Sequence, residues 1–501
     1  MIDYRSPLER ICIKLASLAR ADALPLISGL VTGLMAHMFV FTNKLMNADE
    51  VGALFSKGAT IDSGRWALEL LRAVFPDVSV PWLWGTITVM LLTVAACVTL
   101  RIFRIKHNFL RALLPALFIS FPSVTSLFCF MFTSSSYAVA FLLAVLSVWV
   151  FVNVKKRWIA WLAACFMLVF SVGVYQAYIA IAASYFVILM IQRLLEREDA
   201  AKVLRFGICC VAMLVVSLVV WYAIAHAAVE LSGGEFLTYA VEQEKGLLFR
   251  VALAYNGFIK ALISGYYGFV DTGLTLVGHM IGVGLCAALG IYELVRLKDG
   301  KKRALMLLCI VLLPLSMNCL FLISSTQIIH SLVLYSFISL YVFAAVLLDR
   351  ASGKKLLCMR DAVVICMLLT VVSNVFVANK VYLKLHLQYE QAYAFYSEVI
   401  ADIHETEGYQ QNMPFYIVGD YTGIEEIEEL DTGDLFGPSK NLVNIYTKEY
   451  FLLNYLAYSG PIADEEQIEK QYNDDRILQM PSYPNEGYIK CVDDCLVIKL
   501  G

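Results

Sequence analysis

The sequence NKLMNADEVGALFSKGATIDSGRWALELL, residues 43–71, is a polar segment between two long apolar runs. It contains the adjacent carboxylates Asp49 and Glu50 and ends near the sequence SGRW at 63–66. A connection that only reverses the chain between two membrane helices needs a few residues. A segment of this length, with carboxylates, cations and a Trp, indicates a functional loop at a membrane surface.

The rest of the chain supports the membrane assignment. Its 501 residues are 60% hydrophobic and only 16% charged, with a mean hydropathy of +0.70. Apolar runs long enough to cross a bilayer as helices recur through the first 380 positions. We therefore predict a mainly α-helical polytopic membrane protein with about eleven spans. They are expected at 24–42, 82–100, 111–130, 137–153, 158–174, 177–192, 206–226, 273–294, 304–323, 331–348 and 361–379.

The distribution of Lys and Arg predicts the topology. With a cytoplasmic N-terminus, the N-terminal segment and the loops at 101–111, 155–157, 193–205, 296–303 and 349–360 face the cytoplasm. They hold 24 Lys and Arg residues, whereas the opposite loops hold seven. Because cytoplasmic loops are enriched in these residues, the loops at 43–81 and 227–272 are predicted to lie outside. An odd number of spans puts the C-terminus outside as well.

The second external segment is not uniformly hydrophilic. Within 227–272, apolar residues recur at helical spacing and are interrupted by charges. This pattern is typical of an amphipathic helix lying along the membrane surface, or of a re-entrant piece. The alternative is a further span at 251–270, which Arg250, Asn256 and Lys260 make less favourable.

A change in charge divides the chain into two predicted domains. Residues 1–379 contain 31 Lys and Arg against 20 Asp and Glu, whereas residues 380–501 contain 8 against 22. In this acidic tail we expect helices near 381–405 and 446–457, a strand at 414–420 and a terminal hairpin. The tail is predicted to be a small extracytoplasmic α/β domain. Its two cysteines, Cys491 and Cys495, either form a local disulfide or remain free thiols.

Asp49 and Glu50 are the first candidates for catalysis. Transfer of a sugar to a hydroxyl needs one carboxylate to accept the proton of the acceptor. Hydrolysis of a glycosidic bond needs two carboxylates facing each other, which adjacent residues are poorly placed to supply. The alternative interpretation is structural, because Asp49 also suits the N-cap of a helix.

Five further side chains of the external segments are candidates for binding: Lys57, Arg65, Trp66, Tyr175 and Gln176. Arg65 and Lys57 are suited to a phosphate, and Trp66 offers an apolar face for a sugar. Tyr175 and Gln176 lie in a tight external turn and are able to contact hydroxyl groups. All five have a structural alternative, because aromatic and cationic residues are common at membrane interfaces.

Several chemistries find no support in the sequence. There is no cluster with metal-ligand spacing and no phosphate-binding glycine loop, so no metal or cofactor is expected. No basic face for nucleic acid is present either.

Three segments together resemble the glucosyltransferase type II family, the Gtr-like bacterial membrane proteins. They are the loop ending in SGRW, the sequence SVGVYQAYIAI at 171–181 and the closing YIKCVDDCLVIKL at 488–500. The resemblance spans nearly the whole chain, and the SGRW and YQAY segments are its most specific parts. It implies a GT-C type glycosyltransferase with its site at the external face of the bacterial inner membrane.

The resemblance also implies the reaction and its partners. The donor would be a polyprenyl-phosphate-linked sugar, expected to be glucose, and the acceptor a hydroxyl of a surface glycan such as O-antigen. In such enzymes an acidic residue of the first external loop is the base, which points to Asp49 or Glu50, with Asp49 favoured. A donor-synthesising glycosyltransferase and a flippase would be functional partners. The alternatives are transfer of another lipid-linked sugar, a transporter or flippase of lipid-linked glycans, and a glycan polymerase.

Overall fold

The computed structural model describes residues 16–55, 60–76, 78–236, 246–264, 274–323, 331–351, 354–424, 430, 441–472 and 474–501. Long helices dominate, as expected for a chain that must satisfy its backbone hydrogen bonds within a bilayer. The helices of the membrane part are α1 (Ala23–Thr42), α2 (Ala48–Gly52), α3 (Trp66–Leu71), α4 (Pro81–Ile102), α5 (Asn108–Ser120), α6 (Pro122–Cys129), α7 (Met131–Asn153), α8 (Arg157–Val174), α9 (Ile179–Leu195), α10 (Ala200–Ser232), α11 (Leu247–Ser264), α12 (Leu274–Arg296), α13 (Gly300–Met317), α14 (Leu320–Ile323), α15 (Ile338–Asp349) and α16 (Lys354–Glu405). Short 3-10 helices at Gln176–Tyr178 and Ser331–Phe337 precede α9 and α15.

The predicted fold class is confirmed, since ten segments of the described chain are long and apolar enough to cross a membrane. They coincide with ten of the predicted spans. The remaining one, expected at 304–323, is helix α13, followed by the short α14. The first turn of α13 contains Lys301, Lys302 and Arg303, so its apolar part is limited to residues 304–317.

Contacts between helix ends define two opposite faces of the bundle. Asp22, before α1, forms ion pairs with Arg101 at 2.5 Å and Arg111 at 3.2 Å. The Asp349 carboxylate accepts hydrogen bonds from the backbone of Lys106 and His107. These contacts gather the segments with the highest density of Lys and Arg on one side, which we name the basic face.

Further contacts add other helix ends to the basic face. The Arg350 guanidinium donates to the carbonyl of Leu195, and the Lys302 ammonium donates to the carbonyl of Arg197. Asp199 and Asp299 cap the first turns of α10 and α13 there, as short acidic side chains do at helix N-termini. The opposite ends of the same helices, with the 43–81 loop, form what we name the loop face.

Helix α13 carries the chain from the basic face to the loop face. Near its start Lys302 contacts Arg197, and at its end the Ser336 hydroxyl donates to the carbonyl of Met317. Just beyond, the Asn318 amide donates to the carbonyl of Ala254 on α11. The predicted alternation of the chain between two faces is therefore maintained through α13.

The amphipathic segment forms helix α11, which does not cross the bundle. Its Arg250 donates to the carbonyl of Leu322, beyond α13 on the loop face. The imidazole of His279, early in α12, hydrogen-bonds to the backbone of Leu262 near the other end of α11. Helix α12 then continues to the basic face, so both ends of α11 lie towards the loop face. This arrangement agrees with an interfacial or re-entrant helix rather than with a further span.

The last helix joins the membrane part to the tail. The 52 residues of α16 rise about 78 Å as one continuous helix. The predicted boundary at 379/380 lies inside this helix, and the helix predicted at 381–405 is its second half. Near that boundary the Asn379 amide donates to the carbonyl of Met35. The tail is thus carried by a rigid element that is anchored on α1.

The tail contains a three-stranded sheet. Its elements are β1 (Phe415–Val418), α17 (Lys448–Tyr455), α18 (Glu465–Tyr472), α19 (Asp475–Leu478), β2 (Ile489–Val492) and β3 (Cys495–Lys499). The strand order is β1-β3-β2, with β1 parallel and β2 antiparallel to β3. Asp493 and Asp494 both have positive φ, as a tight two-residue hairpin turn requires. The expected strand, second helix and hairpin are all present.

The register of the hairpin explains why its two cysteines are free. Cys491 is paired with Leu496, whereas Cys495 is paired with Val492. Because neighbouring residues of a strand face opposite sides, the two thiols lie on opposite faces of the sheet. Both are free, so the disulfide considered from the sequence does not form.

Candidate active site

Helix α2 presents the two candidate acids, and it begins with a different residue from the one that the sequence suggested as a cap. The N-cap is Asn47, whose side-chain oxygen accepts a hydrogen bond from the amide of Glu50 at 2.9 Å. Asp49 lies inside the first turn. The helix-cap explanation therefore applies to Asn47 and not to Asp49.

Glu50 is fully buried and held by structural contacts. Its carboxylate accepts a hydrogen bond from Lys44 Nζ at 2.6 Å and one from the Ser79 hydroxyl. Its other oxygen accepts the backbone N–H of Phe132 at 3.2 Å. Phe132 lies in the first turn of α7, where unpaired N–H groups and the helix dipole favour a negative charge. Glu50 thus attaches α2 to the bundle.

Asp49 differs from its neighbour in exposure. Its side chain is exposed, whereas Glu50 is 0% exposed. A general base must come within hydrogen-bond distance of the proton that it removes, so an exposed carboxylate is the better placed of the two.

The tail domain also holds α2. Met46 and Val51 are both 0% exposed and belong to the hydrophobic core of the tail. The Asn454 amide donates to the carbonyl of Val51 at 2.8 Å, and the ring of Tyr450 lies against Gly52. The candidate acids are therefore positioned by two separate parts of the chain, the bundle and the tail.

Tyr455 of α17 completes this contact. Burial raises the pKa of its hydroxyl, and the negative charge of the nearby Glu50 raises it further. The hydroxyl is buried, with no hydrogen-bond partner among the described residues. It therefore remains a neutral hydroxyl beside α2.

The SGRW segment forms a turn that is docked on two helices. The Gln176 amide donates to the carbonyl of Ser63 at 2.8 Å, and the Trp221 indole donates to the carbonyl of Gly64 at 3.1 Å. Gly64 has φ of +74°, a conformation that glycine adopts readily. A Cβ there would lie 3.1 Å from Trp221 and from Phe236. Glycine is therefore required both by the turn and by the close packing.

Arg65 and Trp66 leave this turn in different directions. The Arg65 guanidinium lies over the ring of Tyr175, 5.7 Å from its centroid, within the range of a cation–π contact. Trp66 packs against α8, where a Cβ on Gly173 would approach the indole to 2.7 Å, and its ring meets Phe170 edge to face. Trp66 thus anchors the turn on α8, and Arg65 is held over the YQAY segment.

Aromatic rings continue from Tyr175 into the bundle. Tyr175 stacks on Tyr137 with ring centroids 4.3 Å apart and meets Tyr178 edge to face at 5.1 Å. Such contacts between rings each add stability beyond the buried area and fix orientation. The row then passes through Phe141, Tyr335 and Phe121 to Tyr341.

Helix α7 connects the acid helix to the SGRW turn. Its Phe132 amide binds Glu50, and its Tyr137, about 7.5 Å further along the helix axis, stacks on Tyr175 under Arg65. The two parts of the first loop are thus held on a single rigid element at the loop face.

The structure brings most of the sequence-predicted site residues to this face. The SGRW turn places Arg65 over Tyr175, and Gln176 binds the backbone of the same turn. Helix α2 adds Asp49 and Glu50 to this face. Lys57 lies outside the described residues. Sequence analysis missed several residues that build the site, because their roles depend on contacts with distant segments and not on a local sequence pattern. These are Lys44, Ser79, Phe132, Trp221, Phe236, Tyr450, Asn454 and Tyr455.

No group of three or more His, Cys, Asp or Glu side chains comes together as a metal site within the described part of the chain.

Comparison with known proteins identifies the family. No curated protein and no solved structure matches the chain. The family model described as glucosyl transferase GtrII matches residues 38–349, which is more than half of the chain and includes the acid helix, the SGRW turn and the YQAY segment. The protein is a multi-pass helical membrane protein, and it belongs to the GtrII glucosyl transferase family.

Proposed function

We propose that the protein transfers a glucosyl residue from polyprenyl-phosphate-glucose to a hydroxyl of a bacterial surface glycan such as O-antigen. The observation that carries this proposal is the division of roles on α2. Glu50 is buried in three contacts, while Asp49 is exposed beside it on the same short helix of the loop face. Membership of a glucosyl transferase family supplies the reaction class.

The proposed reaction is a single displacement. Asp49 accepts the proton of the acceptor hydroxyl, and the acceptor oxygen forms a bond to the anomeric carbon of the glucose. The bond from that carbon to the phosphate oxygen breaks, and polyprenyl phosphate leaves with the electron pair. Asp49 ends the step protonated.

Cations at the loop face would stabilise the departing phosphate. A fixed positive charge close to the developing negative charge lowers the barrier because it needs no rearrangement during the reaction. Arg65, oriented over Tyr175, is our first candidate, and Lys57 of the same loop is the second. We assign Gln176 and Tyr175 to sugar or acceptor binding, and Trp66 to the support of Arg65.

The proposed orientation follows from the two faces of the bundle. The basic face would lie in the cytoplasm of the inner membrane and the loop face in the periplasm, in agreement with the positive-inside rule. A reporter fused after Gly501 is then expected to report a periplasmic location, and one inserted at 104–107 a cytoplasmic one. The opposite result for both would reverse the orientation.

The activity can be tested with the purified protein in lipid nanodiscs. Labelled glucose is expected to move from polyprenyl-phosphate-glucose to an acceptor glycan. Asp49→Asn should reduce the rate by about 10²- to 10⁴-fold, the usual contribution of a general base. The control is Asp361→Asn, an exposed aspartate near the basic face, which should retain full activity.

The variant Glu50→Gln distinguishes the role of Glu50 from that of Asp49. It removes the charge that accepts hydrogen bonds from Lys44, Ser79 and the amide of Phe132, and the loss of a charged hydrogen-bond partner destabilises a protein by about 1–3 kcal/mol. We expect residual transfer and a melting temperature below that of Asp49→Asn. Full activity of both variants would contradict the assignment of the base, and transfer only from a different lipid-linked sugar would contradict the donor. Comparison of surface glycans in cells with and without the protein would then identify the sugar and its linkage.

A further inference from the structure

Tyr450 is an exposed aromatic residue of the tail that lies against the acid helix α2. It belongs to α17 and is 46% exposed. A Cβ on Gly52 would lie 3.9 Å from the ring of Tyr450, which is an ordinary van der Waals distance. The ring therefore packs on α2 with one part of its surface and leaves another part open to solvent.

The exposed carboxylate of Asp49 is on the same side of α2. Asp49 and Gly52 are three positions apart in the helix, and residues at this spacing lie on one face. The carbonyl of Asp49 accepts the amide of Ala53 at 3.0 Å, so this helical turn is closed. Asp49 and Tyr450 are both exposed. A carboxylate and an aromatic ring thus border one open surface at the loop face.

The position of Tyr450 relative to Asp49 is fixed by contacts between α17 and α2. The amide of Asn454, one turn after Tyr450, donates to the carbonyl of Val51 at 2.8 Å. Phe451 and Val51 are both 0% exposed and belong to the same hydrophobic core. A ring that is held in this way loses little freedom when a ligand binds, which favours affinity.

Exposed apolar surface continues beyond Tyr450. Ile445 and Tyr446, in the turn before α17, are 53% and 72% exposed. Exposed apolar patches mark contacts with a ligand, a protein or a membrane. Residues 380–501 carry 8 Lys and Arg against 22 Asp and Glu, so the tail lacks the basic excess that holds a domain on anionic lipid headgroups. The charge favours an uncharged ligand over the membrane surface.

The position of Asp49 indicates which ligand this is. In the proposed reaction, the acceptor hydroxyl must come within hydrogen-bond distance of this carboxylate. The acceptor is a glycan, and its sugar rings combine an apolar C–H face with hydroxyl groups. The side chain of Tyr450 offers such a ring a flat apolar face and a hydroxyl, at a low cost in conformational entropy.

Tyr450 also lies outside the part of the chain that the family model matches. The match includes α2 but ends at residue 349. Transfer of glucose is the activity that defines the family, so a contact from the tail to the acid helix is suited to the choice of acceptor. We infer that Tyr450 binds a neutral sugar ring of the acceptor glycan and places its hydroxyl at Asp49; this inference rests on the proposed function.

The test removes the aromatic face of Tyr450 and keeps an apolar side chain against Gly52. The acceptor is the surface polysaccharide of host cells that lack the protein, and the donor is polyprenyl-phosphate-glucose. In nanodiscs, Tyr450→Leu should raise the KM for this acceptor by about tenfold, which corresponds to about 1.4 kcal/mol. The KM for the donor should not change. Tyr450→Phe retains the ring and should stay close to the wild type.

Tyr393 supplies the matched control, because it is also 46% exposed. Its ring lies beside that of Tyr389 on α16, and Tyr393→Leu should leave both KM values unchanged. A fall in kcat in Tyr450→Leu, with the acceptor KM of the wild type, would mean that Tyr450 only positions α2 and would overturn the inference. An equal rise in the KM for donor and acceptor would overturn it as well, because it would indicate attachment of the tail to the membrane.

Binding of the same polysaccharide in the absence of donor is a second measurement, which does not depend on transfer. With the protein in immobilised nanodiscs, surface plasmon resonance should show an affinity about tenfold lower for Tyr450→Leu than for the wild type. Tyr450→Phe and Tyr393→Leu should bind as the wild type does. Equal affinity of the wild type and Tyr450→Leu would overturn the inference. Binding that depends on the ring of Tyr450, without any transfer of glucose, would instead contradict only the proposed function.

Discussion

Gln176 donates a hydrogen bond from its Nε2 to the main-chain carbonyl of Ser63 at 2.8 Å, across 113 positions of the chain. The bond joins the YQAY segment to the SGRW turn, the two sequences that most resemble the family. Both segments lie within the region that the family model matches. One hydrogen bond at the loop face therefore joins the two segments directly.

Loss of this hydrogen bond should reduce catalysis. In Gln176→Ala, Ser63 loses its donor and the turn that carries Arg65 is less restrained. A hydrogen bond of this kind contributes about 1 kcal/mol, so we expect kcat/KM to fall by roughly five- to tenfold. Initial rates of glucose transfer measure the effect. The control is Gln192→Ala, which removes a similar bond to the carbonyl of Phe103 on the basic face and should leave kcat/KM unchanged. An equal loss in both variants would contradict a specific role of Gln176.

Alanine at position 64 should destabilise the protein more than alanine at position 233, where a glycine has a similar backbone conformation. Gly64 and Gly233 have φ of +74° and +71°, and nothing lies within 4 Å of a Cβ at Gly233. Both alanine variants incur the left-handed penalty of about 1–2 kcal/mol. Only Gly64→Ala also presses against Trp221 and Phe236, so its melting temperature should be the lower of the two. Thermal unfolding in detergent checks this, and equal melting temperatures would exclude the packing effect.

Asn454 should affect turnover although it belongs to the tail. Its amide donates to the carbonyl of Val51, so Asn454→Ala releases one restraint on the helix that carries Asp49. We expect kcat to fall severalfold, by the equivalent of about 1 kcal/mol, with the KM of the donor unchanged. The control is Asn485→Ala, which removes an amide that donates to the carbonyl of Ser482 within the same turn. The kinetics of this variant should match those of the wild type. A rise in KM without a change in kcat would argue against positioning of α2.

Glu449 should make the stability of the tail depend on pH. Burial raises the pKa of its carboxyl above the ordinary value of 4.5, and the nearby Lys448 offsets part of this effect. A carboxyl with a higher pKa in the folded state binds more protons when folded. The contribution of Glu449 to the free energy of unfolding is therefore fully present below pH 4.5 and is lost as pH rises through the folded-state pKa.

Hydrogen exchange of the full chain measures this effect at β1, where Glu449 accepts a hydrogen bond from the amide of Ile417. Exchange at Ile417, corrected for the intrinsic rate, should speed up as pH rises above 4.5 in the wild type. Glu449→Gln should weaken this dependence, whereas Glu465→Gln, at the exposed start of α18, should preserve it. An unchanged pH profile in Glu449→Gln would contradict the assignment.

The sequence alone determined the features that depend on local pattern. Apolar runs predicted the spans, because a bilayer requires about twenty apolar residues per helix. The Lys and Arg distribution predicted which segments share a face, and contacts such as those of Asp22 with Arg101 and Arg111 agree with it. The terminal hairpin followed from alternation around Asp493 and Asp494.

Only the tertiary structure distinguished the two adjacent acids. Asp49 and Glu50 have the same chemistry and the same sequence context, but they differ in burial. That difference arises from Ser79, Phe132 and the tail domain, which reach α2 from separate parts of the chain. Contacts between residues so distant in sequence depend on packing and leave no periodic signal in the sequence. The role of Glu50 as a structural anchor is therefore visible only in the folded chain.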